Sequence, residues 1–275
     1  MDLLVFTDLD GSLLDHADYS WRAAGSVLSR IAASGIPLIF VTSKTRREVE
    51  VLHDELGLRE PFIVENGAGV FFPVDYRGRT ITRGFPRAGY TVVELGVSYD
   101  RIRAFMKHHG SRFGITGFGD WSVAEIAART GLSEERAALA GQREFTEPFL
   151  PGPRTDMVAL EWLAAEHGLK ITRGGRFHHL IGAGQDKGEA VRTTRDIFAR
   201  CLDSSPPAVG IGDSENDLPM LAQVDVPVVI PRPDGSRLQL RLPRLVVADH
   251  PGSRGWAEAL GRILDEFATE VDRNI

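Results

Sequence analysis

Near its start the chain reads Leu3-Leu4-Val5-Phe6-Thr7-Asp8-Leu9-Asp10-Gly11-Ser12, a short apolar run followed at once by two carboxylates and a glycine. An apolar run of this length, bounded by turn residues, is typical of a buried parallel strand. Open α/β sheets bind ligands outside the carboxyl ends of their strands, which is where Asp8 and Asp10 fall. From average residue usage, a D-x-D-G-[ST] string arises by chance in about one chain in a hundred of this length. The string therefore indicates a ligand site at the end of the first strand.

A calcium-binding loop is one alternative for this acidic stretch. Such a loop needs glycine at its sixth position and glutamate at its twelfth. Counted from Asp8, those positions hold Leu13 and Tyr19. The calcium loop is excluded, and a simple acidic turn is the alternative that remains.

Further short apolar runs bounded by turn residues predict more buried strands, at residues 36–41, 62–64, 208–211 and 226–230. Apolar residues at helical spacing lie between or after these runs, in residues 20–33, 46–56 and 256–267. Alternating strands and helices predict an α/β fold with a doubly wound parallel sheet of the Rossmann type.

The middle of the chain has a different pattern. From about residue 84 to residue 182 the apolar runs shorten, residues 90–95 alternate, and a helical pattern covers residues 101–109. The buried-strand pattern resumes only after Asp186. We therefore expect a core of residues 1–84 and 183–275, interrupted by an inserted α+β domain of residues 85–182.

Composition narrows the class of protein. The 275 residues are 43% hydrophobic and 25% charged, which excludes a disordered chain. The formal net charge of -6, without a basic patch, argues against nucleic-acid partners. Apolar runs too short for a membrane span, the lack of a signal peptide and the single Cys201 predict a cytoplasmic protein, and nothing specifies an oligomeric state. No glycine pattern for NAD or for a P-loop is complete.

A second acidic cluster reads Gly212-Asp213-Ser214-Glu215-Asn216-Asp217 and directly follows the predicted strand of residues 208–211. Two acidic clusters at strand ends of one sheet predict a hard divalent cation, held by few carboxylates with open positions. Magnesium together with a phosphate suits such a site. The alternative is that Asp213 or Ser214 only caps the helix that follows.

Two shorter strings offer donors for phosphate oxygens. Thr42-Ser43-Lys44 follows the strand of residues 36–41, and Asp186-Lys187-Gly188 precedes a helix predicted over residues 189–200. Hydroxyl and ammonium groups suit phosphate oxygens. Taken alone, Thr42 or Ser43 could be a helix cap and Lys187 a solvated surface residue. The four strand-end motifs together favour a phosphate site.

The sequence resembles the haloacid dehalogenase superfamily of phosphatases in the ordered set Asp8-x-Asp10-Gly11-Ser12, Thr42, Lys187 and Gly212-Asp213-x-x-Asn216-Asp217. The inserted domain resembles the large α/β cap of that superfamily. Further strings resemble the mannosyl-3-phosphoglycerate phosphatase family: Thr42-Ser43-Lys44-Thr45-Arg46, Glu65-Asn66-Gly67-Ala68-Gly69, Arg143-Glu144-Phe145-Thr146-Glu147-Pro148-Phe149, Gly174-Gly175-Arg176-Phe177-His178 and Pro251-Gly252-Ser253-Arg254-Gly255-Trp256. Ser12 and Ala68 stand where we expect Thr and Gly.

The resemblance implies a role for each matching residue. Asp8 is implied to be the nucleophile that forms an aspartyl-phosphate, and Asp10 the general acid and then base. Mg²⁺ is expected on the Asp8 carboxylate, the Asp10 carbonyl and Asp213, with support from the two neighbours Asn216 and Asp217. Thr42 and Lys187 are expected to hold the oxygens of the transferring phosphoryl group.

The resemblance also implies a sugar-glycerate phosphate as substrate, which carries a carboxylate besides its phosphate. Arg176 and Lys44 are candidates for that carboxylate. Ser43 is a further candidate substrate contact. Candidates for substrate hydroxyls, or for orienting other side chains, are Glu65, Asn66 and Glu144. Each could equally have a structural role. Of the adjacent His178 and His179 at most one is expected to face the cleft.

These expectations combine into one function. They predict a magnesium-dependent phosphatase of mannosyl-3-phosphoglycerate or its glucosyl analogue, releasing phosphate and a glycosylglycerate, a compatible solute in the family it resembles. A broader sugar phosphatase acting on sucrose phosphate or hexose phosphates is one alternative. A non-catalytic phosphosugar-binding regulator is another, although binding alone needs no acid/base carboxylate such as Asp10.

Overall fold

The computed structural model describes residues 3–174, 177–202 and 204–273, which contain two sheets and the helices around them. The strands in chain order are β1 Leu4–Thr7, β2 Leu38–Val41, β3 Phe62–Val64, β4 Gly69–Pro73, β5 Phe85–Arg87, β6 Tyr90–Glu94, β7 Ile115–Gly117, β8 Glu147–Pro151, β9 Leu169–Gly174, β10 Phe177–Gly182, β11 Ala208–Gly212, β12 Val226–Val229 and β13 Val246–Val247. The α-helices are α1 Gly25–Ala33, α2 Arg46–Leu56, α3 Tyr99–Phe113, α4 Val123–Thr130, α5 Glu134–Ala140, α6 Met157–Glu166, α7 Lys187–Leu202, α8 Leu218–Leu221 and α9 Gly252–Arg273.

The larger sheet has the strand order β13-β12-β11-β1-β2-β3-β4-β6-β5. The six strands from β13 to β3 run parallel, and β4, β6 and β5 add an antiparallel edge. The apolar runs predict five of the six parallel strands, and β13 is the one they do not predict. Since parallel strands share one direction, their carboxyl ends meet along one edge of the sheet. The predicted α/β fold with a parallel, doubly wound sheet is confirmed.

Side chains of β1 point alternately to two cores, one on each face of the sheet. Val5 packs in the core under α9, and Phe6 in the core under α7. In the first core, Trp256 of α9 is fully buried and donates its indole N–H to Thr7 Oγ1 at 2.9 Å. Burying an aromatic side chain of this size removes about 200 Å² from water and contributes about 5 kcal/mol. The residue before Asp8 is thereby fixed to the C-terminal helix.

A second anchor fixes the loop that follows the first acidic string. Asp15 accepts hydrogen bonds from the Ser253 amide and the Ser253 hydroxyl, both at 2.9 Å, at the start of α9. A carboxylate here satisfies free amide donors of the first turn and opposes the positive end of the helix dipole. The acidic loop is therefore held at both its ends.

The smaller sheet has the order β7-β8-β10-β9 and is antiparallel throughout. Helices α3 and α6 cover one face, with Ile102, Leu160 and Leu180 in their common core. The opposite face lies toward the larger sheet, and β9 approaches the turn Glu215–Asp217. Helix α5 packs on α2, where Thr45 Oγ1 donates to the Leu139 carbonyl at 3.0 Å. The smaller sheet thus lies over the carboxyl edge of the larger one.

The strand pairing moves the expected boundary of the inserted domain. The hairpin Phe85–Arg87 and Tyr90–Glu94 pairs with β4, so it extends the larger sheet instead of opening the second domain at residue 85. Its alternating pattern, which suggested a separate domain, fits an antiparallel edge with one solvated face. We propose residues 95–182 as the inserted unit and call them the insert.

None of the helices in the described part of the chain combines the length and the apolar character that a membrane span needs.

One buried histidine makes the stability of this fold depend on pH. His53 of α2 lies between the rings of Phe40 and Phe62, at 4.9 and 5.2 Å between centroids, and its Nε2 has no hydrogen-bond partner among the described residues. Burial lowers the pKa of His53 from 6.5 to about 4, against the opposing effect of Asp54 and Glu50. The folded protein thus keeps the ring neutral where the unfolded chain would bind a proton.

The neutral ring makes its full contribution to the free energy of unfolding above pH 6.5. That contribution is lost as the pH falls from 6.5 toward about 4. We expect the free energy of unfolding of the wild type, relative to His53→Leu, to fall by about 1.4 kcal/mol per pH unit in that window. Urea unfolding at a series of pH values measures this difference. The exposed His108, changed to Gln, is the control and should follow the wild type. Equal pH slopes for the wild type and His53→Leu would contradict the assignment.

Candidate active site

Three buried carboxylates meet at the carboxyl edge of the larger sheet. Asp8 follows β1 and Asp213 follows β11, two strands that pair in parallel, while Asp217 ends the turn after β11. One oxygen from each of the three lies within 4.8 Å of the others, and the residues are 6%, 3% and 0% exposed. The two acidic clusters that the sequence places far apart therefore form one cluster in space.

Lys187, the first residue of α7, inserts its ammonium into this cluster. Its Nζ lies 2.6 Å from Asp8 Oδ1 and 2.6 Å from Asp217 Oδ1, and the side chain is 1% exposed. Burial disfavours the charged amine, but Asp217 and Asp8 raise the pKa of Lys187 above its ordinary value. Lys187 is therefore a buried cation, not the solvated surface residue of the alternative interpretation.

The cluster carries more negative charge than Lys187 balances. Three carboxylates and one ammonium leave two negative charges, the charge that one divalent cation would neutralise. Burial raises the pKa of Asp8 well above 3.8, with Asp217 and Asp213 adding to the effect and Lys187 opposing it. Burial and the neighbouring Asp217 raise the pKa of Asp213 to about 6. The donor set of buried oxygens fits a hard divalent cation.

Within the cluster the three carboxylates differ in how they are used. Asp217 Oδ2 accepts from the amides of Asp213 and Ser214, both at 3.0 Å, and its Oδ1 accepts from Lys187. Both oxygens of Asp217 are thus engaged in shaping the loop. Asp213 contacts His16, whose Nε2 lies 3.4 Å from Asp213 Oδ2. Because Asp217 is engaged in this way, Asp8 and Asp213 are the better-placed candidates for metal ligands.

Asp10 lies in a different environment from Asp8, although only one residue separates them. Its side chain is 38% exposed, and Lys44 Nζ lies 2.8 Å from Asp10 Oδ1. Gly11 between the second carboxylate and Ser12 has φ +86°, and a Cβ there would meet His16 and Asp213 Oδ2 at less than 3 Å. Glycine is required for so close an approach. The turn directs Asp8 into the buried cluster and Asp10 toward the cleft.

The hydroxyl of Thr42, at the end of β2, belongs to the same edge. Thr42 is 1% exposed, and its Oγ1 accepts from the Lys44 amide at 3.1 Å. Thr45, not Thr42 or Ser43, is the N-cap of α2, in a capping box with Glu48. The helix-cap alternative for the first two residues of the string is therefore wrong. Ser43, which lies between Thr42 and Lys44, is half-buried.

The turn after β3 holds two of the predicted substrate residues, Glu65 and Asn66, at φ +50° and +59°. Asn66 Oδ1 accepts from Asn216 Nδ2 at 3.1 Å, so it supports the second acidic loop. The carboxylate of Glu65 is 0% exposed and accepts from the amides of Glu144 and Phe145 at 2.8 and 3.2 Å. Of the two uses expected for Glu65, these contacts favour orientation of protein groups over binding of sugar hydroxyls.

Other predicted substrate residues have different positions. Glu144 pairs with Arg46, whose Nε donates at 2.8 Å, and with Arg87. Of the two histidines, His178 packs on the ring of Phe149 in the core of the insert. His179 points to the opposite face, toward the larger sheet, and is 7% exposed with Nδ1 lacking a partner among the described residues. The last candidate, Arg176, lies outside the described residues.

Sequence reasoning missed residues that line the cleft beside Lys44. Tyr19 lies under the Lys44 ammonium, which is 5.1 Å from the ring centroid, and Arg136 of α5 approaches the same ring at 5.8 Å. These residues, with Leu139 and Glu48, line a pocket where α5 packs on α2. No motif marks them, because they become neighbours only when α5 packs on α2.

Similarity to known proteins agrees with this geometry. Residues 5–88 match the family of haloacid dehalogenase-like hydrolases. A glucosyl-3-phosphoglycerate/mannosyl-3-phosphoglycerate phosphatase of Persephonella marina is 49% identical, over 96% of this chain and 98% of its own. A phosphatase of the same name from Methanococcoides burtonii is 39% identical, over 94% of this chain and 96% of its own. A solved structure from Thermoplasma acidophilum has a TM-score of 0.64 at 21% identity, covering 98% of this chain and 99% of that one.

The fold and the site therefore define a haloacid dehalogenase-like hydrolase. More narrowly, the chain belongs to the glucosyl-3-phosphoglycerate/mannosyl-3-phosphoglycerate phosphatase family within that class. This confirms the family resemblance found in the sequence and makes the protein a phosphoric monoester hydrolase.

Replacing Asp213 by asparagine tests the cation site without measuring catalysis. Because an amide at this position would remove one of three clustered negative charges, we expect metal-free Asp213→Asn to unfold at the same or a higher temperature than the metal-free wild type. Divalent cations should raise the unfolding temperature of the wild type and leave that of Asp213→Asn unchanged.

The matched control is Glu215→Gln, since Glu215 lies in the same loop but is 71% exposed and pairs with Arg232. This variant should keep the full response to cations. A cation response in Asp213→Asn equal to that of the wild type would exclude the site.

Proposed function

We propose that this protein is a Mg²⁺-dependent phosphatase that hydrolyses mannosyl-3-phosphoglycerate or glucosyl-3-phosphoglycerate to the glycosylglycerate and phosphate. The observation that carries the proposal is the buried cluster in which Asp8 and Asp213, at two adjacent strand ends, meet Lys187 at the start of α7. The names of the relatives supply the substrate class. In the cytoplasm, the location we propose from the sequence, the products would be a compatible solute and phosphate.

In the proposed reaction a carboxylate oxygen of Asp8 attacks phosphorus, and the bond from phosphorus to the glycerate oxygen breaks. Lys187 fixes the orientation of Asp8 through its 2.6 Å contact and adds positive charge beside the phosphoryl oxygens. Asp10 protonates the departing glycerate oxygen. It then accepts a proton from the water that cleaves the aspartyl-phosphate, which releases phosphate and restores Asp8.

Asp8, Asp213 and the main-chain carbonyl of Asp10 would hold the Mg²⁺. The cation would supply neutralisation of the phosphate charge and of the carboxylate cluster. The fit rests on the buried oxygens and on the raised pKa values of Asp8 and Asp213, which mark two carboxylates in need of a positive partner. Thr42 would hold a phosphoryl oxygen from the neighbouring strand end.

Lys44 is the proposed contact for the glycerate carboxylate. It is 16% exposed, lies 2.8 Å from Asp10 Oδ1 and faces the pocket with Tyr19 and Arg136. The leaving oxygen must come within hydrogen-bond reach of Asp10, so the glycerate group attached to that oxygen lies next to Lys44. From the sequence we propose Arg176 as a second contact for this carboxylate.

Phosphate release by the purified protein tests the proposed function. We expect release from the two glycosyl-3-phosphoglycerates in the presence of Mg²⁺, with less release from sucrose phosphate and hexose phosphates. Asp8→Asn should lose activity by a factor of about 10³ or more, because an amide is a poor nucleophile. Equal rates across the panel would support a broader sugar phosphatase, and no release from any compound would leave only a phosphosugar-binding regulator.

The role of Lys44 is tested by comparing two substrates. Lys44→Met should raise KM for the glycosyl-3-phosphoglycerate about tenfold more than KM for a hexose phosphate, since a charge-assisted hydrogen bond is lost only with the former. The loss of the contact with Asp10 affects both substrates and cancels in the ratio. Lys107→Met, at an exposed position of α3, is the control. An equal increase for both substrates would reject the carboxylate contact.

A further inference from the structure

We propose that Arg143 of the insert is a positioning residue that orients the loop of residues 42–44, with Glu65 as its partner. Closure of the insert would thereby complete the site for the phosphoryl group. This inference rests on the proposed function, because it assigns that loop to the phosphoryl group. Arg143 belongs to neither the acidic cluster nor the pocket beside Lys44.

The loop of residues 42–44 has three consecutive carbonyls, and each accepts a hydrogen bond from outside the loop. The Thr42 carbonyl accepts from the Asn66 amide at 2.9 Å, and the Lys44 carbonyl from the Glu65 amide at 3.0 Å. The Ser43 carbonyl between them accepts from Arg143 Nη2 at 3.0 Å. Two of these donors belong to the turn after β3, and the third comes from the insert.

The bond from Arg143 acts on the peptide group that orients the Thr42 hydroxyl. That group consists of the Ser43 carbonyl and the Lys44 amide, which point in opposite directions because the peptide is planar and trans. Its carbonyl accepts from Arg143, and its amide donates to Thr42 Oγ1 at 3.1 Å. One rigid unit therefore connects the guanidinium to the hydroxyl proposed to bind a phosphoryl oxygen.

Arg143 is itself held in place by a buried network. It is 8% exposed, its Nε lies 3.3 Å from Glu65 Oε2, and it donates to Thr146 Oγ1. Thr146 Oγ1 donates in turn to Glu65 Oε2 at 2.7 Å. Burial raises the pKa of Glu65, and Arg143 is the largest opposing influence. A planar guanidinium presents several donors in fixed directions and so serves the carboxylate and the carbonyl together, whereas an ammonium is a point charge on a flexible stem.

These contacts cross between the two sheets. Residues 141–146 connect α5 to β8 and so belong to the insert, whereas residues 42–44 and the turn at Glu65 belong to the larger sheet. Any movement that separates the insert from the larger sheet would remove Arg143 from the Ser43 carbonyl. The orientation of the loop is thus coupled to closure, which also excludes water from the phosphoryl site.

The alternative is that Arg143 has a purely structural role. Variants that differ in their effects on phosphate binding and on unfolding distinguish a positioning role from a structural one. The variants are Arg143→Lys and Arg143→Met, with Arg46→Met as matched control. Arg46 also forms an ion pair between the larger sheet and the insert, with Glu144 at 2.8 Å, but its hydrogen bonds within the described residues go to carboxylates and not to the loop carbonyls. The measurements are kcat and KM for the glycosyl-3-phosphoglycerate, the inhibition constant of inorganic phosphate, and the unfolding temperature.

We expect both Arg143 variants to weaken inhibition by inorganic phosphate about tenfold and to lower kcat by a similar factor. Arg143→Lys keeps a charge for Glu65, so it should unfold near the wild-type temperature while retaining both defects. Arg46→Met should lower the unfolding temperature with little change in phosphate inhibition. Should Arg143→Met fail to fold, Arg143→Lys carries the test alone.

Two outcomes would overturn the inference. Wild-type kcat and phosphate inhibition in Arg143→Lys, with any effect confined to unfolding, would reduce Arg143 to a structural contact while the proposed function stands. An inactive wild type, unable to release phosphate from any compound of the panel, would remove the proposed function and this inference with it.

Discussion

The site depends on the two buried ion pairs that the Lys187 ammonium forms with Asp8 and Asp217. Replacing a buried ion group of this kind by apolar side chains is often neutral or stabilising, so the cluster is poor evidence of a contribution to stability. A divalent cation would balance its excess of negative charge and would also attract an anionic substrate. The two apolar cores and the Trp256 anchor supply the stability that lets such a cluster remain closed to solvent.

The parallel pairing of the strands brings the carboxylates of this cluster together. Because β1 and β11 pair in parallel, residues that are 205 positions apart, Asp8 and Asp213, emerge at one edge of the sheet through strand pairing. The surrounding loops then need only local fixation. Asp15 fixes the first loop by accepting hydrogen bonds from the amide and the hydroxyl of Ser253 at the start of α9. Asp217 fixes the second loop by accepting from two backbone amides of that loop. These supports fix the loops without using the carboxylates of Asp8 and Asp213.

The sequence was informative wherever a short-range pattern determines the structure. Apolar runs followed by acidic strings predict the parallel strands and the residues at their ends. A strand that is buried on both faces appears in the sequence as a continuous apolar run, and the residues after that run lie at its carboxyl end. The sequence places residues 85–94 in the inserted domain, whereas the hairpin pairs with β4 of the larger sheet, since alternation describes a half-exposed strand but not its neighbour. The partners of Glu144 and the cleft position of Tyr19 depend on how the insert packs, and no spacing encodes that. In the sequence, Arg143 stands out only as part of a string that resembles the family, and that string gives it no role of its own.

Glu65 illustrates how packing decides the use of a residue. The sequence offers an acidic side chain beside the predicted site, equally suited to sugar hydroxyls or to protein donors. In the structure its carboxylate is fully buried and receives two amides and a hydroxyl from residues 144–146 of the insert. Its own amide meanwhile binds the Lys44 carbonyl. One residue thus contacts the loop through its backbone and the insert through its side chain. The carboxylate is thus engaged by protein donors, whereas Lys44, Tyr19 and Arg136 line a pocket. We propose that selection of the substrate rests on these three side chains and on Arg176 instead of on Glu65.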